Sequence, residues 1–164
     1  MTSLFNPGTG SDLVSTNKPG ALWELVQLLA KAELDLPADT RPNSITVSID
    51  MEAKVANVAA TLPIGFVIDS TSGRMVVTVN NYAAASFDPG SGGDLKSNQV
   101  PGALLEVFQI VSAAEQAVPG DNKPNNVSGT FDLDAGTATL TMALPITTVI
   151  GPGGNIQIAA VDYL

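Results

Sequence analysis

The chain writes one unit twice, and nothing else in it restricts the possible folds as much. Phe5-Asn6-Pro7-Gly8-Thr9-Gly10-Ser11-Asp12-Leu13 returns as Phe87-Asp88-Pro89-Gly90-Ser91-Gly92-Gly93-Asp94-Leu95. Pro19-Gly20-Ala21-Leu22 returns as Pro101-Gly102-Ala103-Leu104, and Leu62-Pro63-Ile64 as Leu144-Pro145-Ile146. Residues 5–69 align with 87–151 without a gap, at a constant offset of 82 and with roughly 27 of 65 positions identical. Residues 1–82 and 83–164 therefore read as two repeats. Either alone would bury only a thin core, so the two are expected to share one domain.

Each repeat opens on a Gly-rich segment. Pro7-Gly8-Thr9-Gly10 and Pro89-Gly90-Ser91-Gly92-Gly93 suggest a phosphate cradle, but such a loop joins a strand directly to a helix N-terminus and usually ends in Lys-Ser/Thr. Here an Asp and about eight residues intervene before the helix. An ordered turn is the better reading, with Gly supplying positive φ and Phe plus Leu pinning the segment to the core. A helix follows, with Pro19 or Pro101 in its first turn. Leu22, Leu25, Val26, Leu29 and Ala32 recur at helical spacing, as do Leu104, Val107, Phe108, Val111 and Ala114.

The remainder of each repeat is β. Ile45, Val47, Ile49 and Met51 alternate with Thr46, Ser48, Asp50 and Glu52. Val127, Gly129, Phe131 and Leu133 repeat that pattern, Asp134-Ala135-Gly136 reads as a hairpin turn, and Ala138, Leu140, Met142 and Leu144 alternate with threonines and Ala143. Pro63 and Pro145 fall inside the long strands, where a proline cannot donate to a ladder; the pattern predicts either a bulge or a split there. A last strand follows in each repeat, over 74–82 and 155–163. The expected fold is α+β: a tandem duplication of an 82-residue α-β-β-β(-β) unit, pseudo-two-fold, with antiparallel sheet or sheets of six to eight strands and two helices packed on one face.

Charge and residue types narrow the function. Seven basic residues against sixteen acidic ones give a net charge of −9, which repels phosphate backbones and anionic membranes, so neither nucleic acid nor membrane is expected as a partner. No Cys or His is present, which removes thiolate chemistry, the commonest general base and the commonest transition-metal ligands. No leader-like segment or membrane-length apolar run is seen, and the reading is a soluble, cytoplasmic protein without cofactor or metal.

The acids recur in pairs: Asp12/Asp94, Glu24/Glu106, Glu33/Glu115, Asp39/Asp121 and Asp50/Asp132. Asp12 and Asp94 fit turn caps, and Asp132 to Gly136 fits a hairpin better than a Ca²⁺ loop because the downstream acids are missing. Glu24 and Glu106 lie on the polar helix faces, and Trp23, which aligns with Leu105, breaks the repeat. Tyr82 and Tyr163, the only tyrosines, end the two copies. Trp23, Glu24, Glu106, Tyr82 and Tyr163 are the candidate ligand- or partner-binding residues; no catalytic set assembles. The function expected is a non-enzymatic structural or assembly protein acting through self-association or a protein partner. The alternatives are a binding module for a small apolar ligand between sheet and helices, and an acid/base enzyme built from Asp or Glu with Tyr.

Overall fold

The computed structural model describes residues 5–35, 44–79, 86–117, 127–132 and 134–161. The order of elements is α1 (Lys18–Leu34), β1 (Ser44–Asp50), β2 (Val55–Ile68), β3 (Met75–Val79), α2 (Val100–Ala117), β4 (Val127–Asp132), β5 (Thr137–Ile150) and β6 (Ile156–Ala160). The protein is α+β, with two helices and an antiparallel sheet of six strands among the described residues. No helix among them is long and apolar enough to cross a membrane.

Helix α1 begins where the sequence places a proline in the first turn. Asn17 is its N-cap, its side-chain oxygen accepting from the Gly20 N–H at 2.8 Å and so satisfying one of the donors a helix start leaves open. The apolar periodicity then decides which face is covered: Leu22, Leu25, Val26 and Leu29 of α1, and Leu104, Val107 and Val111 of α2, are fully buried.

The sheet order is β1-β2-β5-β4, with β3 on β2 and β6 on β5. Its centre is the pairing of β2 with β5, from Val55↔Pro145 through Ala59↔Thr141 to Pro63↔Thr137. Strand alternation sends Ala56, Val58, Ala60, Leu62 and Ile64 of β2 to one face, with Ala138, Leu140, Met142, Leu144 and Ile146 of β5. Most of these side chains join those of both helices in one continuous core, to which Phe5, Leu13, Phe87 and Leu95 of the two Gly-rich segments also belong. The other face carries Thr46, Ala59, Thr141 and Ser128 in one cross-strand row, and Thr61, Thr139 and Thr130 in the next.

Pro63 and Pro145 neither split nor bulge their strands. In β2 the even-numbered backbone groups face β5, as the bond from Ile64 N–H to the Gly136 carbonyl (2.8 Å) shows. Odd-numbered groups face the opposite edge, where Thr61 pairs with Ser44 of β1 and Gly65 with Thr78 of β3. Pro63 lies between those two positions, at the point where the edge changes partner, so its missing N–H removes no bond of either described ladder. Pro145 occupies the corresponding place between β4 and β6, and its carbonyl accepts from Val161 N–H at 2.9 Å.

The two Gly-rich segments bind each other. Thr9 and Ser91 exchange both backbone hydrogen bonds at 2.9 Å. Asp12 N–H donates to the Asp88 carbonyl (2.9 Å) and Asp94 N–H to the Asn6 carbonyl (2.8 Å). The carboxylates complete the lock: Asn6 N–H donates to Asp94 Oδ2 and Asp88 N–H to Asp12 Oδ2, each at 2.9 Å. Asp12 and Asp94 thus bond across to the other segment instead of capping their own turns. Glycine is required at Gly8 by the contact as well as by φ (+87°), because a Cβ there would stand 2.7 Å from the Pro89 carbonyl oxygen.

Candidate functional site

Three of the five candidate residues lie among the described residues, and they are not brought together into one site. Glu24 turns back on the segment before α1, its carboxylate accepting from Ser15 N–H at 2.9 Å and from Val14 N–H at 3.3 Å. Glu106 does the same before α2, accepting from Ser97 N–H at 2.8 Å and Lys96 N–H at 3.2 Å. Each is an anionic acceptor for two otherwise open backbone donors, an arrangement that ties an irregular segment to the helix it precedes. Trp23 is buried, and its indole N–H donates to the Ile158 carbonyl at 3.3 Å, which places α1 against the outer edge of β6. Tyr82 and Tyr163 lie outside the described residues, as do Asp39 and Asp121.

Other paired acids also act locally. Asp50 Oδ1 accepts from Ala53 N–H (2.9 Å), and Asp132 Oδ1 accepts from Asp134 N–H (3.1 Å) and Ala135 N–H (3.0 Å), so both hold hairpin turns. No group of three or more potential metal-ligating side chains occurs among the described residues. Glu33 and Glu115, near the helix C-terminal ends, are buried at 4% and 6% exposure, each four residues beyond the last fully buried apolar residue of its helix, Leu29 or Val111.

Among the described residues two surfaces are candidates for binding. The first is an open groove of about 820 Å³ between the C-terminal end of α2 and the sheet. Its walls include Val47, Val58 and Met142 with Ser112, Glu115 and Gln116, so apolar and polar groups meet there in similar measure.

The second is the pair of arms formed where β2 and β5 run beyond each other. Residues Ile64–Ile68 pair with β3 and Ile146–Ile150 with β6. At these ends the one-sided burial of the strands breaks down. Ile68 is 66% exposed, Val149 43%, and Ile150 and Ile156 each 71%. The arm built from β5 and β6 differs from the rest of the molecule in charge as well: residues 135–161 contain no Asp, Glu, Lys or Arg. That blank stretch is visible in the sequence, as is the loss of apolar–polar alternation in Ile146-Thr147-Thr148-Val149-Ile150. Together they mark this arm in the sequence without any Trp, Tyr or Glu.

The exposed β-branched residues, the uncharged strand ends and the absence of a bulge over Ile146–Ile150 are the features that elsewhere make a strand a template for another strand. No protein-family model matches the chain, and neither a curated protein nor a solved structure does.

Proposed function

We propose that the chain is a non-enzymatic assembly protein that acts by self-association, with a protein partner presenting a compatible strand as the variant of the same reading. The observation that carries it is the uncharged β5–β6 arm, whose Ile150 and Ile156 stand largely in water on a chain with net charge −9. An exposed apolar strand end is unfavourable in a monomer unless something covers it. Four of the acids, Asp12, Glu24, Asp94 and Glu106, have their carboxylates on the chain's own backbone, which favours a structural role for them.

The same proposal includes the origin of the fold. We infer a fused duplication whose two 82-residue copies pack about a pseudo-two-fold axis. Supporting this, the β2–β5 register is centred on Ala59↔Thr141 and the loop bridge on Thr9↔Ser91, and both pairs are separated by 82 residues. The lock bonds occur in couples related by the same offset: Asn6 N–H to Asp94 with Asp88 N–H to Asp12. A self-pairing unit that later fused would leave this reciprocity behind.

Light scattering on the purified chain, from low micromolar to near-millimolar concentration, tests the functional reading. A mass that rises with concentration, or a discrete oligomer, agrees with it; a monomer throughout retires self-association. The groove beside Glu115 supports a second reading, an organic ligand with an apolar body, since about 820 Å³ is ample for one. Its openness to solvent and mixed lining make it the weaker of the two. Saturable binding of an environment-sensitive apolar dye, lost on Met142→Glu, would reverse that order.

A further inference from the structure

We propose that the partner of the β5–β6 arm is the same arm of a second copy, joined edge to edge in an antiparallel ladder that uses Thr148 and Ile150 of each chain. This rests on the self-association reading and names its surface and register.

The backbone fixes which groups are available. Ile146 N–H donates to the Lys54 carbonyl on the β2 side at 3.0 Å, while the Pro145 carbonyl and Gly151 N–H bond on the β6 side. Alternation therefore directs the N–H and C=O of Thr147 and Val149 to β6 and those of Thr148 and Ile150 to the opposite edge. β2 reaches back along that edge only to Val55, which pairs with Pro145, and the Lys54 carbonyl takes the Ile146 donor. Among the described residues no strand continues past that point, so Thr148 and Ile150 present two donors and two acceptors in strand geometry.

The chemistry of the edge selects its occupant. A second copy meets long-range repulsion from a charge of −9, and residues 135–161 are the longest stretch of the chain without an ionised side chain. Within Ile146–Ile150 no ionised side chain and no bulge interrupts the strand and Pro145 lies before it, while Met51 and Lys54 of the β1–β2 turn border the edge only as far as Thr148. Thr148, Val149 and Ile150 are β-branched, all are exposed, and they match one another as cross-strand neighbours.

The arm is also self-complementary in register. Placing Val149 opposite Val149 of the second copy sets Thr148 opposite Ile150 and Ile150 opposite Thr148. Both outward-facing residues of each chain are then used, giving about four hydrogen bonds, and both strands end where their turns begin. The first arm is a poorer candidate because its turn carries Asp69 and Arg74, where the second has Gly151 and Asn155 closing the turn. A ladder this short makes a weak, concentration-dependent pair.

Sedimentation velocity on the full chain tests the register through a charge exchange at exposed positions. Thr148→Lys and Ile150→Glu are made separately, with circular dichroism to verify the fold. Each alone is expected to weaken self-association on the order of 10- to 100-fold, since each places an unmatched charge against an apolar or hydroxyl neighbour. An equimolar mixture of the two is expected to recover it, because the lysine introduced in one chain would then face the glutamate introduced in the other. Thr148→Pro, which deletes an outward N–H without touching the β6 ladder, is expected to weaken association in the same range. If the native chain associates and these variants associate equally well, or if the mixture fails to recover, this edge and register are overturned while self-association stands. If the native chain stays monomeric at every concentration, both fall.

Discussion

Positions 26 and 47 of the first repeat are Val and Val; their equivalents in the second, 108 and 129, are Phe and Gly. A large helix residue with no strand side chain replaces two of middle size, and the contact explains why. A Cβ built on Gly129 would stand 3.1 Å and 3.3 Å from the Phe108 ring and 3.4 Å from Leu140 Cδ2, so the ring occupies the space a strand side chain would need. Gly129→Val should then overpack the site and cost about 1–3 kcal/mol, even though Val suits a strand far better than Gly. Phe108→Val removes most of a buried ring and should cost about 2–3 kcal/mol, somewhat below the Phe→Ala range. If the two positions were independent, the double variant would lose about 3–6 kcal/mol, the sum of the two. Because the valine introduced on the strand fills the space vacated by the ring, the double variant should lose only about 1–2 kcal/mol, a favourable coupling of about 2 kcal/mol or more. Urea denaturation of the four proteins in the cycle measures this directly. Additivity to within about 0.5 kcal/mol would refute the claim that Phe108 and Gly129 replace the valine pair as a unit.

Three further outcomes follow from the contacts described above. Glu24→Ala and Glu106→Ala should each destabilise by about 1–2 kcal/mol and by similar amounts, because each frees two backbone donors; a loss in chemical denaturation confined to one of them would contradict the parallel roles. Gly8→Ala should cost clearly more than Gly10→Ala: both have positive φ, worth about 1–2 kcal/mol of strain, but only Gly8 meets a neighbouring backbone, and equal losses would show that the lock tolerates a Cβ. The Asp69 carboxyl is held below the ordinary carboxylate range, first by the Ser72 hydroxyl and then by Thr71 N–H. Its folded pKa is thus the lower one, so the turn gains its stabilisation above the unfolded pKa and loses it as pH falls through the folded value. Ser72→Ala should raise the Asp69 pKa in an NMR titration, and an unchanged value would remove the hydroxyl as the main cause.

Short-range regularities are legible in the sequence; contacts between distant segments are not. Helical spacing locates the buried faces of α1 and α2, and two-residue alternation locates those of β2 and β5, because both follow from the direction of Cβ along the backbone. Pro63 and Pro145 resist the same reading. Whether a missing N–H matters depends on which edge it faces and whether a strand lies there, and both are facts about pairing. Glu24 and Glu106 read as solvent-facing helix residues for a similar reason. Their partners are nine and ten residues earlier in segments with no periodicity, although Ser15 and Ser97 at the same spacing are a clue. The Gly-rich segments are readable as turns anchored by Phe and Leu, yet the bonds joining Asn6 to Asp94 span 88 residues, beyond the reach of any local pattern.

The distribution of agreement and difference between the repeats bears on where activity resides. Under the proposed duplication, residues that bind one copy to the other must satisfy two sets of contacts at once. The lock follows this rule, with Asp12 and Asp94 identical and Asn6 and Asp88 offering the same side-chain oxygen to the Gly8 and Gly90 N–H groups. The clamps follow it too, with Glu24 and Glu106 identical. The arms agree at Ile64, Val67 and Ile68 with Ile146, Val149 and Ile150, and differ between those positions and in their turns. Gly65-Phe66 stands opposite Thr147-Thr148 in the alignment, and a turn with Asp69 and Arg74 stands opposite one without charge. What distinguishes the second arm is the loss of charge in its turn, while Val149, Ile150 and Ile156 lie outside the core. Under the proposed self-association a second copy covers these apolar groups, which the core within the chain does not take in.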